Sequence, residues 1–317
     1  MRELKKSMKD FLEVFNNVTV PALIEQGFEA NPINAREGLL NTTYNFTTSK
    51  TEIAKVLDGT VKSKDGNYNV PVRIFNPNPE EALPVIIYFH GGGHMAGSVT
   101  VYDEVIRRLA KETNHIVVAP EFRLAPENPY PAQEIDSRTV YYNVFDLLDE
   151  KNIKYQKKLR FGGDSGGGAL TAALARDIQD DSDDYKADAI FMIYPSLDYT
   201  MSFDSYKDDV NGKGYLLETP KIKWYFDNYL QDGQDRKEAS PLFNKISNGI
   251  PRTILFTAEF CPLRDEGYAY VEKLKENGVE VVHHNMENMI HTYMSMQDLA
   301  KEEADFTYAE ISKFLNR

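Results

Sequence analysis

The chain has 317 residues, of which 42% are hydrophobic and 12% aromatic, enough for one large α/β unit with insertions. Its 36 basic and 49 acidic residues give a formal net charge of −13, which argues against nucleic acid and anionic membranes as main partners. The single cysteine, Cys261, excludes an intramolecular disulfide framework and a metal site built from several cysteines.

The N-terminal segment is predicted to contain an amphipathic helix, because Leu4, Met8, Phe11 and Phe15 recur at helical spacing. Residues 1–10 are charged and no apolar signal core follows them. No apolar run approaches the roughly 18 residues that cross a bilayer. We therefore expect a cytoplasmic protein without a membrane span.

Short apolar runs then alternate with helix-like segments. Strands are predicted at 53–61, 70–75, 85–89, 115–119, 159–162, 189–194, 253–257 and 279–283, and helices at 132–148 and 169–178. This alternation predicts an α/β fold with a mostly parallel sheet and helices on both faces. Residues 200–237, rich in Tyr, Phe, Asp and Gly, interrupt the rhythm and are expected to form an insertion.

The strongest local motif is Gly163-Asp164-Ser165-Gly166-Gly167, which fits the pattern G-x-S-x-G. It stands between a predicted strand and a predicted helix, as a nucleophile elbow does. Ser165 is therefore the candidate nucleophile. The alternative is a glycine-rich turn that binds phosphate, but the Gly-Lys-Ser/Thr ending typical of such loops is absent.

Two further motifs fit an acyl-transfer site. His90-Gly91-Gly92-Gly93 follows the predicted strand 85–89, upstream of the elbow. Its backbone amides can donate to an oxyanion, and the amides of Gly91, Gly92 and Gly166 are the candidate donors.

His291 is the candidate base, because it follows the predicted strand 279–283 and comes last in the order serine, acid, histidine. His283 and His284 are adjacent in that strand, so they point to opposite faces and make a poor metal pair. His94 follows the glycine loop, where it could contact substrate or simply be solvated.

Together these motifs resemble the bacterial hormone-sensitive-lipase-like esterases, family IV of the α/β-hydrolase superfamily. The resemblance covers most of the chain. It rests on the glycine loop, the elbow and His291, and also on Phe122-Arg123-Leu124-Ala125-Pro126-Glu127 and Pro262-Leu263-Arg264-Asp265-Glu266-Gly267. Gly166 stands where alanine is commoner in the family.

The resemblance implies an α/β-hydrolase fold with a helical cap over the active site. Residues 1–50 and 200–237 would build the cap, and residues 51–199 and 238–317 the core. It also implies hydrolysis of small, usually short-chain acyl esters with no metal or organic cofactor. Members often dimerise, so a homodimer is a candidate assembly.

The chain departs from the family pattern at Cys261, where the family has the aspartate that supports the histidine. A neutral thiol is a poor hydrogen-bond partner and cannot stabilise an imidazolium as a carboxylate does. Four explanations remain open. Catalysis is slow; Asp265 or Glu259 reaches His291 instead; Cys261 is a thiolate beside a charged histidine; or the cysteine was engineered into an aspartate parent.

A binding protein on the same scaffold is the alternative from a different functional class. Plant gibberellin receptors resemble this family and bind a small ligand with a disabled triad. The missing aspartate favours this reading, whereas the retained Ser165 and His291 favour an enzyme, since such receptors have lost the base.

Overall fold

A single eight-stranded sheet organises the chain. The computed structural model describes residues 2–63, 66, 68–181 and 186–317. The strands are β1 (Lys55–Lys62), β2 (Asn69–Asn76), β3 (Leu83–Phe89), β4 (Ile116–Pro120), β5 (Tyr155–Asp164), β6 (Ala189–Ile193), β7 (Arg252–Phe260) and β8 (Val281–Ile290). Their order is β1-β2-β4-β3-β5-β6-β7-β8. The β1–β2 and β2–β4 pairs are antiparallel, and every pair from β4 to β8 is parallel.

Ten α-helices accompany the sheet in the described part of the chain. They are α1 (Lys6–Val14), α2 (Val20–Glu25), α3 (Pro32–Phe46), α4 (Asp103–Thr113), α5 (Ala132–Glu150), α6 (Gly166–Ile178), α7 (Thr219–Tyr229), α8 (Arg236–Ala239), α9 (Arg264–Glu276) and α10 (Lys301–Leu315). A π-helical turn, Phe15–Thr19, joins α1 to α2. The predicted N-terminal helix therefore continues beyond residue 15 without a loop.

Two hydrophobic layers hold the helices against opposite faces of the sheet. In β3, Ile86 and Tyr88 face the layer that includes α4 and α10, while Val85, Ile87 and Phe89 face the layer that includes α5, α6 and α9. This alternation follows from the two-residue period of a strand. The predicted α/β-hydrolase fold, with its mostly parallel sheet covered on both faces, is thereby confirmed.

The predicted strands are all present, with different ends. The first begins at Lys55 rather than at residue 53, and the last continues to Ile290 instead of ending at residue 283. The longer β8 matters for function because it carries the chain directly to His291. Polar residues such as Asn285 and Glu287 hide this extension in the sequence, since they interrupt the apolar run.

The N-terminal helices contact the insertion that follows β6. The Asn16 side-chain amide donates to the carbonyl of Gly214 over 3.0 Å. Met8 and Leu12 of α1 lie in the same hydrophobic cluster as Tyr206 and Phe226 of the insertion. A division of the chain into cap and core at residues 50, 199 and 237 stays a prediction.

Candidate active site

Ser165 lies in a sharp turn between β5 and α6. Its backbone has φ 52° and ψ −118°, in a region that non-glycine residues rarely adopt. A Cβ on Gly167 would lie 2.0 Å from the carbonyl oxygen of Phe89, so only glycine allows the turn to approach β3 this closely. The sequence thus forces Ser165 into an elbow at the carboxyl edge of the parallel sheet, where its side chain is 8% exposed.

The register of β7 and β8 places Cys261 beside His291. Phe260 pairs with Ile290 as the last pair of the two parallel strands, and the two residues of interest follow next along each chain. His291 Nε2 lies 2.8 Å from Ser165 Oγ, and His291 Nδ1 lies 3.2 Å from Cys261 Sγ. The structure therefore brings the three residues into one line, with the histidine in the middle.

Cys261 is a neutral thiol in this setting. Burial raises the pKa of the thiol well above its usual range, and the amide of Leu263, which donates to Sγ over 3.3 Å, opposes this shift only partly. The side chain is 1% exposed. This argues against the thiolate that was considered above, because a thiolate needs a cationic or exposed environment.

His291 is a neutral imidazole for a related reason. Burial, with a smaller contribution from the positive charge of Lys221, lowers its pKa to about 3. A carboxylate at position 261 would have opposed both effects.

Asp265 and Glu259, the two fallback acids, bond to other described residues and not to His291, which corrects the one of the four explanations in which either acid reaches the histidine. Asp265 accepts from Arg264 Nε at 2.8 Å and from the amide of Ser205 at 3.0 Å. Asp265 therefore ties the first turn of α9 to the insertion.

Glu259 is equally committed elsewhere. It pairs with Arg2 at 2.6 Å and with Arg264 at 2.7 Å, and its second oxygen accepts from Asn285 at 2.8 Å. Glu259 lies on β7 two residues before Cys261, but its side chain faces these cations rather than the histidine.

Gly91 also requires a correction. Its amide donates to Asp164 Oδ1 over 2.8 Å, so it is not free to bind an oxyanion as expected. The same carboxylate accepts from the hydroxyls of Tyr88 at 2.8 Å and Tyr102 at 3.1 Å. Burial raises the pKa of Asp164 to about 6, and these donors counteract the shift. Asp164 thus ties the glycine loop to the elbow.

The amide of Gly93, unlike that of Gly91, is unengaged in the described part of the chain. Among the described residues, no hydrogen bond engages the amides of Gly92 or Gly93. A Cβ on Gly166 would lie 3.3 Å from the nitrogen of Gly93, so the two backbones meet beside Ser165. The amide of Gly166 has no intrahelical partner because this residue opens α6.

The chain is similar to known proteins over most of its length. A family model described as the alpha/beta hydrolase fold matches residues 86–295. The chain belongs to the α/β-hydrolase family. Within it, the esterase relatives place the chain in the hormone-sensitive-lipase-like branch, and the protein is a carboxylic ester hydrolase.

Two curated α/β-hydrolase relatives are similar over most of the chain. The ethyl acetate hydrolase of Pseudomonas putida is 30% identical over 79% of this chain and 79% of its own. The carboxylesterase NlhH of Mycobacterium tuberculosis is 32% identical over 77% of each chain. Among solved structures, a hyperthermophilic esterase from Pyrobaculum calidifontis covers 99% of this chain and 98% of its own, with a TM-score of 0.86 and 29% identity.

The described part of this α/β-hydrolase chain offers neither a metal site nor a membrane-spanning helix. Within residues 2–63, 66, 68–181 and 186–317, no group of three or more His, Cys, Asp and Glu residues could hold a metal ion. The helices in these ranges include none that is long and apolar enough to cross a membrane.

Several residues of this α/β-hydrolase site were missed by sequence reasoning. Asp164 was read only as a variable position of the elbow, although a carboxylate that is buried beside a nucleophile always needs donors. Glu266 is also fully buried and accepts from the amide of Leu197 and the hydroxyl of Tyr206, both at 2.6 Å. Its position in an acidic, exposed-looking stretch gave no sign of this burial.

His94 is buried, so the expectation that it is simply solvated is wrong. Its ring stacks on Tyr229 at 3.9 Å between centroids, Nδ1 lies 2.8 Å from Gln133 Oε1, and Nε2 lies 3.1 Å from the Tyr199 hydroxyl. Burial lowers its pKa to about 4. His94 therefore connects the glycine loop to α7 as a neutral side chain.

Proposed function

We propose that the protein hydrolyses small acyl esters through an acyl-enzyme on Ser165, with His291 as general base and Cys261 in the position of the supporting acid. The observation that carries this proposal is the hydrogen bond of 2.8 Å between His291 Nε2 and Ser165 Oγ, at the edge of the sheet where the elbow holds the serine.

The reaction begins when His291 accepts the proton of Ser165 and Oγ attacks the ester carbonyl. The alcohol leaves with that proton, and an acyl-serine remains. Water then attacks the acyl-serine with His291 again as base, which releases the carboxylic acid and restores the serine. Because its pKa is about 3, His291 is unprotonated and able to accept at neutral pH.

The amides of Gly92, Gly93 and Gly166 would bind the oxyanion of each tetrahedral intermediate. Gly166 follows Ser165 and lies against Gly93, and it opens α6, whose N-terminal end favours negative charge. Each such donor contributes about 10²–10³ in rate.

Cys261 supports His291 less well than a carboxylate would. His291 acts as a base only in the tautomer that carries its proton on Nδ1, and this proton must then point at Sγ. The thiol can instead donate to Nδ1, which selects the unproductive tautomer. Replacement of the acid by a neutral group costs about 10⁴ in turnover in serine proteases. We therefore expect slow turnover.

Small substrates are favoured by the position of α7 above the glycine loop. The ring of Tyr225 lies against Gly93, where an added Cβ would come within 2.9 Å of Tyr225 Cγ. Little room is left for a long acyl chain on this side of Ser165. The name of the Pseudomonas putida relative, an ethyl acetate hydrolase, points in the same direction.

The test combines labelling with turnover. The folded protein is incubated with a fluorophosphonate probe, and hydrolysis of p-nitrophenyl acetate is measured in parallel. Peptide mapping should find the label on Ser165, and Ser165→Ala should lose both label and turnover. Folded protein that neither labels nor turns over ester would contradict the proposal. Ligand binding without turnover would then support the binding-protein alternative.

A further inference from the structure

Helix α7 brings one row of side chains to the glycine loop. Tyr229 stacks on His94, and Tyr225, one turn earlier, lies against Gly93. Lys221 is one further turn earlier in the same i, i+4 row, so its side chain is the next on the face that borders the active site. The row therefore runs from the buried end of α7 toward solvent, and it ends in a cation.

The charge of Lys221 is not paired in the described part of the chain. Within the described residues it makes no ion pair and no hydrogen bond, whereas Lys223 on the same helix pairs with Asp227 at 2.7 Å. Glu218 is the nearby acid that interacts with the charge of Lys221, but its Oε1 accepts from the amide of Gly214 at 2.8 Å. The ammonium is therefore available to a ligand.

Lys221 is accessible to a dissolved ligand and still feels the surrounding protein. The side chain is exposed, yet the protein around it lowers its pKa by desolvation. Its charge also lowers the pKa of His291, which places the ammonium within electrostatic reach of the base. Together with the row on α7, this indicates that the ammonium lies on the side of the helix that borders the site of reaction.

This position is a disadvantage for a neutral substrate. His291 becomes an imidazolium when Ser165 attacks, and a nearby unpaired ammonium repels that charge. No carboxylate at position 261 offsets the repulsion, because Cys261 is neutral. A substrate that carries its own negative charge would neutralise Lys221 and remove the cost. The rest of the surface does not attract such substrates, since the net charge is −13.

From this arrangement we infer that Lys221 selects esters that carry a carboxylate a few atoms from the scissile bond, such as the monoester of a dicarboxylic acid. The inference rests on the proposed function, because it concerns the substrate of the same Ser165. The ammonium is a specificity-determining group, and it takes no part in proton transfer.

The experiment compares charged and neutral esters of similar shape. Monoethyl succinate and ethyl butanoate place the charge on the acyl side, and 4-acetoxybenzoate and methyl 4-acetoxybenzoate place it on the leaving group. kcat/KM is measured for the wild type, Lys221→Met and Lys223→Met. Lys223 is the matched control because it lies on the same helix with its charge already paired.

The expected result is a crossed effect. Lys221→Met should lower kcat/KM for the charged ester of at least one pair by about 10- to 100-fold. It should leave the neutral partner unchanged or faster, because the repulsion of the imidazolium is gone. Lys223→Met should change neither. The pair that responds identifies the side on which the carboxylate binds. Added salt should weaken the preference in the wild type.

Equal losses for charged and neutral esters, or no loss for either, would overturn the inference. Both outcomes are distinct from failure of the proposed function. If Ser165 is not the nucleophile, Ser165→Ala would retain turnover of the neutral esters. The proposed function would then be wrong, and the inference about Lys221, which depends on it, would be wrong as well. If neutral esters require Ser165 but Lys221→Met has no crossed effect, only the role of Lys221 is wrong.

Discussion

The two sides of the catalytic centre are held in different ways. On the nucleophile side, the carboxylate of Asp164 accepts from the amide of Gly91 and from the hydroxyls of Tyr88 and Tyr102. On the far side of His291, the thiol of Cys261 accepts from one amide and faces Nδ1 at 3.2 Å. One side is fixed by charge-assisted hydrogen bonds, and the other by contacts of a weak polar group.

The position of the third side chain beside His291 and the charge that it supplies therefore have different origins. The register of β7 and β8 is enough to place a side chain of position 261 against His291, whichever residue it is. The negative charge that would stabilise an imidazolium depends on the residue type alone. The site therefore keeps the positions of a triad, while the stabilisation of the charged intermediate is reduced.

A carboxylate at position 261 should have the largest effect on kcat. Cys261→Asp should raise kcat for p-nitrophenyl acetate by up to about 10⁴, because a carboxylate selects the productive tautomer and stabilises the imidazolium. The Leu263 amide, which now donates to Sγ, is available to the new carboxylate. Cys261→Ser is the matched control, since it changes the atom without adding charge, and its kcat should stay close to that of the wild type. An equal gain in both variants would contradict the electrostatic explanation.

Removing the charge of Asp164, on the nucleophile side of the site, should have an intermediate effect on kcat. Asp164→Asn removes the charge to which the Gly91 amide and the Tyr88 and Tyr102 hydroxyls donate, so the glycine loop should lose its fixed position. We expect kcat to fall by about 10- to 100-fold and the free energy of unfolding by about 1–3 kcal/mol, measured by steady-state kinetics and urea denaturation.

Tyr88→Phe is the graded control for this change. It removes one donor to Asp164 Oδ1 and leaves the amide of Gly91 bonded to the same oxygen. Its effect on kcat should be only a few-fold. If kcat falls as much in Tyr88→Phe as in Asp164→Asn, the hydrogen bond between Asp164 and the Gly91 amide is not the cause of the loss in activity.

The smallest effect is expected from the carboxylates that lie near Cys261 along the chain. Glu259→Gln and Asp265→Asn should leave kcat within a few-fold of the wild type, because both side chains are bonded to other residues and not to His291. Thermal unfolding should detect a loss of stability in Glu259→Gln, which breaks two ion pairs. A drop in kcat without a change in KM or stability would reinstate either residue as the supporting acid.

Much of the fold and site followed from local sequence signals. The elbow around Ser165, the strand before the glycine loop and the position of His291 each depend on a short motif and its neighbours. Gly91 was misassigned because the identity of a free amide depends on Asp164, which is 73 positions away along the chain. The side-chain directions of Glu259 and Asp265 likewise depend on Arg2, Arg264 and the insertion, contacts that no local pattern contains.

Whether His291 lacks a charged partner can be decided from the pH dependence of the ratio of kcat/KM between Cys261→Asp and the wild type. Asp164, whose pKa is about 6, is common to both proteins, so its titration cancels in the ratio. In the wild type the pKa of His291 is lowered to about 3, while a carboxylate at position 261 raises it toward the ordinary histidine value of about 6.5 or above. The account predicts a ratio well above one at about pH 8 that decreases as the pH falls below the raised pKa. A ratio near one at every pH would contradict it, because His291 would then already have a charged partner.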